Sequence, residues 1–196
     1  MPWPDLAPVA GRLAAELGVD LRLAQATDPL DEDDLSDGER RRAARIPNQW
    51  RRDDFRRGRR ALRHHGVADS SSLTFPHARL SLSHAAGLAV AVWCDGVSGV
   101  GVDIEPYRDI DLRAARFFLR PDEPQPTDGR ELVRLWAVKE ALFKATPANA
   151  GLTLLDIALD DPARRWAAAN AGPGVLAIAI TPEEVVAHAR AGAAVR

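Results

Sequence analysis

The stretch that decides the fold of this 196-residue chain is Gly99-Val100-Gly101-Val102-Asp103-Ile104-Glu105. It alternates with the two-residue period of a β-strand, which places the valines and the isoleucine on one face. Gly101, Asp103 and Glu105 share the opposite face. Paired carboxylates on one strand face suit a hard divalent cation such as Mg²⁺, which prefers oxygen ligands. The alternative is the solvated face of a half-buried strand, a common pattern that needs no ligand.

Both lysines of the chain lie in a second stretch, Trp136-Ala137-Val138-Lys139-Glu140-Ala141-Leu142-Phe143-Lys144, although the chain has 24 arginines. Because an ammonium and a guanidinium are not interchangeable, we expect both positions to need an ammonium beside a phosphate or a carboxylate. On a helix, Trp136, Glu140 and Lys144 lie in one stripe. The stripe is either an exposed Glu–Lys pair, worth about 0.2–0.5 kcal/mol, or a buried face. The two aromatic residues favour the buried face, whose charges then require partners.

Composition limits the class of protein. The chain is 46% hydrophobic and 28% charged, as expected for one or two small globular domains. A formal net charge of −2 argues against a chain-wide nucleic-acid or membrane surface role. The single cysteine, Cys94, excludes an internal disulfide framework and suits a reducing compartment. The sequence shows no signal-peptide pattern and no apolar run of membrane-spanning length, so we expect a cytoplasmic protein.

The local patterns predict a mixed α/β protein. The predicted strands are 19–24, 78–83, 88–93, 97–105, 152–159 and 175–180. The predicted helices are 39–45, 50–65, 112–119, 129–145 and 182–190. The order strand, helix, helix, strand, strand occurs both before and after about Ser98. This order predicts two similar α/β halves with a cleft between them, where ligand sites are common.

Two further segments contain candidate site residues. Ser81-Leu82-Ser83-His84 ends a strand at a turn, where a histidine is either structural or functional. Residues 51–63 are rich in arginine and form a solvated helix face, a nucleic-acid patch or a phosphate clamp. The interleaved Asp53 and Asp54 weaken the nucleic-acid interpretation.

Four motifs together resemble those of the 4′-phosphopantetheinyl transferases. Gly-Val-Asp-Ile-Glu at 101–105 is followed about 30 residues later by Trp-x-x-Lys-Glu-Ala-x-x-Lys at 136–144. Ser-Leu-Ser-His at 81–84 and Phe-x-x-Gly-Arg-x-x-Leu-Arg at 55–63 resemble motifs of the larger, single-chain group of this family. The motifs stand in the family's order and cover about residues 35–145.

The resemblance implies a pseudo-twofold chain of two α/β halves, each with a small antiparallel sheet packed on helices. Residues 1–98 would supply nucleotide contacts for coenzyme A, and residues 99–196 the metal-binding and catalytic motifs. The implied enzyme transfers 4′-phosphopantetheine from coenzyme A to a serine of an apo acyl or peptidyl carrier protein and releases 3′,5′-ADP. It would act as a monomer, without a nucleic-acid or membrane partner.

The resemblance also assigns roles around the reacting phosphates. Asp103, Glu105 and Glu140 would hold Mg²⁺, or Mn²⁺, on the pyrophosphate of the coenzyme. Lys144 would contact the phosphates, and Asp103 would lie beside the coenzyme as well. Glu140, or a water that it orients, would take the serine proton. These roles agree with phosphoryl-transfer chemistry, which depends on positioning, charge neutralisation and a base near the nucleophile.

Four more coenzyme A contacts follow from the resemblance. Ser83 and His84 would touch the phosphates, and Arg51 and Arg59 the nucleotide end. The sequence departs from the family pattern at three places. Residues 73–79 lack a Gly-Lys-Pro element, residues 145–152 carry a proline in place of a glycine-rich turn, and the linker between the two main motifs is short.

Two other functions remain open at this stage. The chain is either a relative that binds coenzyme A without transfer, or a nucleic-acid-binding module that uses residues 51–63. For the transferase, the arginines at 108, 113, 116 and 120 suggest a docking patch for an acidic carrier, chiefly Arg113 and Arg116 on one helical face. A solvated helix is the alternative for this segment.

Overall fold

The computed structural model describes residues 3–145, 147–157, 159 and 174–190. Its α-helices in these ranges are α1 (Ala7–Leu17), α2 (Asp37–Ala44), α3 (Gln49–Arg63) and α4 (Gly129–Lys144). Its strands are β1 (Asp20–Ala26), β2 (Leu80–Ala85), β3 (Leu88–Asp95), β4 (Gly99–Ile104), β5 (Val175–Ile180) and β6 (Val185–Arg190). None of these helices combines the length and the apolarity that crossing a membrane requires. The mixed α/β class is therefore confirmed, with small sheets packed on helices.

The first sheet is antiparallel and has the strand order β1-β3-β2. The predicted hairpin is present, and it turns through Ala86 and Gly87, both of which have positive φ. Helix α3 covers one face of this sheet and buries Ala61 and Leu62 against it. Helix α1 packs on β1.

The second sheet has the order β4-β5-β6, with β4 parallel to β5 and β5 antiparallel to β6. The prediction of an antiparallel sheet in each half is therefore wrong for this half. A parallel pair requires a long crossover, and helix α4 lies in the connection between β4 and β5. The central strand of the first sheet, β3, is the last of its three strands along the chain. The central strand of the second sheet, β5, is the second of its three. The pseudo-twofold relation thus stays a prediction.

Two predicted elements have the wrong type. Residues 182–190 were expected to form a helix because Pro182 and two glutamates resemble a helix start, but β6 occupies Val185–Arg190. A tight turn joins β5 to β6, since Thr181 N–H donates to the Glu184 carbonyl. The strand predicted at 152–159 is instead a 3₁₀ turn over Leu154–Asp156, capped by Thr153 and Asp156. Residue 158 of that prediction lies outside the described residues.

Two further helices differ from the predictions. The helix predicted at 112–119 is a 3₁₀ helix over Leu112–Phe117, and the Asp111 carboxylate accepts from the Arg113 N–H at its start. Helix α1 was not predicted at all. Its signals are Pro8 in the first turn and Gly18 in the left-handed conformation at its end, which together mark helix limits.

Serine side chains join the two sheets at β2 and β4. The Ser81 hydroxyl accepts from the Val102 N–H at 3.1 Å, and the Ser83 hydroxyl accepts from the Ile104 N–H at 3.3 Å. These hydroxyls satisfy strand donors that would otherwise be buried and unpaired. On the other side of this contact, Val100, Val102 and Ile104 enter one core with strands of both sheets, as the alternation predicted.

Helix α4 lies unusually close to the backbone of β4. A Cβ atom added at Gly99 would lie 1.9 Å from the Ala145 carbonyl oxygen, and one at Gly101 would lie 1.8 Å from that of Ala141. Only glycine at both positions permits this approach. Ala177 and Ala179 of β5 also face α4, so small residues line the whole contact.

Lys139 holds the opposite side of α4 through a buried ion pair. Its ammonium donates to Glu123 Oε1 at 2.8 Å and to the Leu154 and Ile157 carbonyls. Both Lys139 and Glu123 are buried. The ammonium that we expected to be needed at Lys139 thus has a structural role. It donates to one carboxylate and to two carbonyls.

We expect Gly101→Ala to lower the free energy of unfolding by about 1–3 kcal/mol or more, since an inserted methyl group must displace α4. Chemical denaturation at equilibrium measures this loss. Gly11→Ala in α1 is the matched control, because a Cβ there meets no atom within 4 Å and glycine weakens a helix interior. An equal, small effect of both substitutions would contradict the close contact.

Candidate active site

A cleft of about 1100 Å³ lies between the two sheets. One wall consists of α2, α3, β2 and the loop before β2, and the other consists of the end of β4 and one face of α4. The residues predicted from the motifs meet here: Arg51, Arg59, Ser83, His84, Asp103, Glu105, Glu140 and Lys144 all line the cleft. Residues from both halves therefore share one site.

Asp103 is at the centre of the cleft. Its Oδ1 accepts from the Lys144 ammonium at 2.5 Å and from the Ser83 hydroxyl at 2.8 Å. Its Oδ2 is buried and has no hydrogen-bond partner in the described part of the chain. A buried carboxylate oxygen without a partner is costly unless a cation or donor reaches it. Asp103 is therefore arranged to accept a further ligand on one side.

Glu105 and Glu140 are half-buried carboxylates near Asp103. Glu105 accepts from the Trp136 indole N–H at 3.1 Å and pairs with Arg108 at 3.3 Å. Burial, followed by the Asp103 charge, raises the pKa of Glu105. Burial also raises the pKa of Glu140; Lys144 opposes this rise and Asp103 adds to it. Both pKa values thus rise chiefly because the carboxylates are partly removed from water, with the Asp103 charge adding to the effect.

No three His, Cys, Asp or Glu side chains among the described residues are already arranged around a single metal position. The chemistry of the donors nevertheless fits a hard cation. Asp103, Glu105 and Glu140 line the same cleft, the Asp103 Oδ2 is buried without a partner in the described residues, and burial, with a smaller contribution from the Asp103 charge, raises the pKa of both glutamates. A divalent ion with oxygen ligands would relieve all three conditions.

The other end of the cleft is basic. The Arg59 side chain is only 6% exposed and its guanidinium lies 4.4 Å from the Phe55 ring centre. Its Nε is buried without a partner, and within the described residues no carboxylate comes within ion-pairing distance of it. Burial lowers the pKa of Arg59 to about 10; Glu39 opposes this, and Arg42 and Arg63 add to it. This cation lacks a fixed counter-ion in the described structure.

Arg51 lines the same cleft about two turns before Arg59 on α3, and it stacks over the exposed Trp50 ring at 4.9 Å. The remaining arginines of α3 bind the protein itself. The guanidinium groups that donate to backbone carbonyls of neighbouring segments are those of Arg52, Arg56, Arg57, Arg60 and Arg63. Most of the basic charge of this helix is thus used to hold loops, which argues against an open nucleic-acid surface.

Arg113 and Arg116 lie outside the cleft, on the 3₁₀ helix Leu112–Phe117. Arg113 forms a two-pronged ion pair with Asp111, while Arg116 stacks over the exposed Phe117 ring at 4.9 Å. The structure thus brings all the predicted site residues except these two together.

Several cleft residues were missed by the sequence analysis: Arg42, Arg45, Trp50, Phe75 and Pro76. Arg42 and Arg45 lie one turn apart at the end of α2 and differ in no local way from their neighbours. Phe75 belongs to the segment that lacks the family's Gly-Lys-Pro element, and that departure was the available signal for this wall of the cleft.

A family comparison matches the second half of the chain. Residues 99–184 match the model of the 4′-phosphopantetheinyl transferase superfamily. The matched range is somewhat less than half of the chain. It includes β4, α4, β5 and the site residues Asp103, Glu105, Glu140 and Lys144. This match supports the superfamily, and with it phosphopantetheinyl transfer as the general activity. A search of the curated proteins finds no match.

The superfamily match begins after the arginine-rich wall, which this chain builds from residues before position 99. Glu39 secures that wall. Its buried carboxylate accepts from the Arg63 guanidinium, from the Ser70 hydroxyl and N–H, and from the Ser36 N–H. It therefore ties α2 and α3 to the loop that carries the cleft residues Ser70 and Phe75.

We expect Glu39 to contribute stability that depends on pH. Burial would raise its pKa, but hydrogen bonds from Arg63, Ser70 and Ser36 outweigh burial and lower the pKa from 4.5 to about 2. The contribution, about 3 kcal/mol, is fully present above pH 4.5 and is lost as pH falls towards 2.

The measurement is the free energy of unfolding of wild type and Glu39→Gln between pH 7 and pH 2. The wild-type advantage should shrink as the pH falls, because the protonated carboxyl loses its bonds to Arg63. Glu16→Gln, an exposed position on α1, is the control and should show no such trend. A wild-type advantage that is constant with pH would contradict the assignment.

Proposed function

We propose that this chain is a 4′-phosphopantetheinyl transferase of the larger, single-chain group that modifies an apo acyl or peptidyl carrier protein. The observation that carries the proposal is the cleft itself. Its carboxylates and Lys144 lie at one end and its uncompensated arginines at the other. Coenzyme A carries a pyrophosphate and a separate 3′-phosphate. The pyrophosphate would lie at the carboxylates and Lys144, and the 3′-phosphate at the arginines.

In the proposed complex, Asp103, Glu105 and Glu140 would hold Mg²⁺ or Mn²⁺ in the cleft. The ion would neutralise charge on the phosphate oxygens and so favour displacement. Asp103 is the best placed, because its free Oδ2 faces no other partner. The Lys144 side chain is 29% exposed and pairs with Asp103. It lines the cleft and is therefore near enough to reach a phosphate oxygen.

The acceptor serine attacks the phosphorus atom that carries the pantetheine arm. A new P–O bond to the serine oxygen forms as the P–O bond to 3′,5′-ADP breaks, and the serine proton leaves to Glu140 or to a water that Glu140 orients. The raised pKa of Glu140 suits it to accept a proton near neutral pH. Ser83 and His84 contact the phosphates from the β2 side.

The nucleotide end of the coenzyme lies on the first half, with Arg51 and Arg59 as its cations. Arg59 is the stronger candidate for the 3′-phosphate, because it is desolvated and forms no ion pair with the described residues. Charge-assisted bonds to a phosphate would satisfy it. This use of both halves in one chain supports the larger group, a two-half organisation at about residue 98, and a monomer. A cytoplasmic location is part of the same proposal.

The contacts in the structure support two alternative functions less well. A relative that binds coenzyme A without transfer would retain the arginine end and Lys144 but has no use for Glu140 as a base. A nucleic-acid-binding module would need the arginines of α3 to face solvent, whereas five of them donate to backbone carbonyls. Mass measurement of apo carriers after incubation with the protein, coenzyme A and Mg²⁺ separates these functions.

We expect Asp103→Asn to abolish transfer while the protein stays folded, since the substitution keeps the shape and removes the charge that a cation requires. The mass gain of the carrier measures transfer, and thermal unfolding checks the fold. Asp54→Asn is the matched control: Asp54 also lines the cleft but is paired with Arg57 at 2.9 Å. Full transfer by Asp103→Asn, or by wild type in excess chelator, would refute the metal assignment.

We expect Arg59→Met to raise the KM for coenzyme A about tenfold or more, because a charge-assisted bond is lost. The KM for 3′-dephospho-coenzyme A should change little. Arg57→Met is the control on the same helix; its guanidinium binds the Thr27 carbonyl, so any effect should be equal for both substrates. Equal effects of Arg59→Met on both substrates would place the 3′-phosphate elsewhere.

A further inference from the structure

The 3₁₀ helix Leu112–Phe117 exposes an apolar surface next to the cleft. Phe117 is 66% exposed and Leu112 is 40% exposed, whereas most large apolar residues in the described ranges are buried. The following residue, Phe118, is buried and contacts Trp136 edge to face at a centroid distance of 5.0 Å. Trp136 in turn lines the cleft and bonds Glu105. The surface is therefore connected to the site through Phe118 and Trp136.

The charges around this surface are largely paired within the chain. Residues 108–123 contain four arginines and four acidic residues, so they are balanced. Arg108 pairs with Glu105, Arg113 with Asp111, and Arg120 with Asp122. Only Arg116 of these four arginines forms no ion pair in the described structure, and it lies against the Phe117 ring. Arg116 thus places one cation within an otherwise apolar surface.

From these observations we infer that Leu112, Arg116 and Phe117 form the carrier docking surface, and that it recognises an apolar, weakly acidic carrier helix. This inference rests on the proposed transferase function and specifies its protein substrate. An aromatic residue beside an arginine is typical of the residues that dominate binding energy at interfaces. A carrier with an apolar side chain next to a single acid near its acceptor serine complements this surface in shape and charge.

The pairing of these charges also argues against a strongly acidic partner. Steering by a basic patch would require a net positive field, which is screened beyond roughly 8 Å at physiological ionic strength. The paired arginines of residues 108–123 provide no such field. Docking should therefore depend on the apolar side chains and only weakly on salt.

The experiment measures kcat and KM of the wild type and of Phe117→Ala for two apo carrier domains. One carrier presents an apolar residue and one acid after its acceptor serine, and the other presents several acids there. We expect the wild type to prefer the first carrier at both low and physiological salt. Phe117→Ala should raise the KM for that carrier about tenfold, with kcat and coenzyme A binding unchanged.

Leu152→Ala is the control for the loss of an exposed apolar side chain, because Leu152 is 43% exposed and lies outside both the cleft and this surface; it should leave KM unchanged. Leu112→Ala provides a second test at a separate exposed side chain. A wild type that transfers to carriers while Phe117→Ala keeps its KM would overturn the docking surface alone. A wild type that modifies no carrier would overturn the proposed function and the docking surface with it.

Sedimentation of the wild type and of Phe117→Ala tests whether a second copy of the chain occupies this surface in place of the carrier. If wild type forms a dimer that Phe117→Ala disrupts, the surface joins two copies of the chain and the carrier assignment is wrong. A monomer for both proteins, together with the KM effect, supports the carrier.

Discussion

The close contact between β4 and α4 is the constraint on which the rest of the site depends. Because Gly99 and Gly101 have no side chains, the carbonyls of Ala141 and Ala145 rest almost on the strand backbone. This distance brings the Lys144 ammonium to the Asp103 carboxylate. On the far side of the helix, the buried pair of Lys139 and Glu123 fixes the rotation of α4. The chemistry of the cleft is thus set by backbone packing as much as by the charged residues.

Much of this arrangement could be predicted from the sequence, because its signals are local. The strand alternation of 99–105 correctly separated the core face from the carboxylate face. The helix beginning after Asp128 was also predicted, since an N-cap and an apolar stripe are local patterns. The pairing of the two motifs in one cleft followed from the resemblance to a family, and not from the residues alone.

The remaining features depend on distant contacts. The segment at 182–190 has the composition of a helix start, but pairing with β5 outweighs that preference. The parallel pairing of β4 and β5 follows from the path of the chain around α4, which no single segment encodes. The basic appearance of residues 51–63 was similarly misleading: whether an arginine faces a ligand or a carbonyl depends on loops far along the chain, such as those near Thr27 and Leu30.

The serine contacts between β2 and β4 give the cleft a line along which it can open. In the described residues the two sheets are separate hydrogen-bonded units, and hydroxyls of Ser81 and Ser83 stand where a backbone ladder would otherwise continue. Parting the walls there breaks the serine bonds to Val102, Ile104 and Asp103 and leaves every described strand ladder intact. The amide protons of Val102 and Ile104 therefore report on opening of the substrate cleft, separately from unfolding of either sheet.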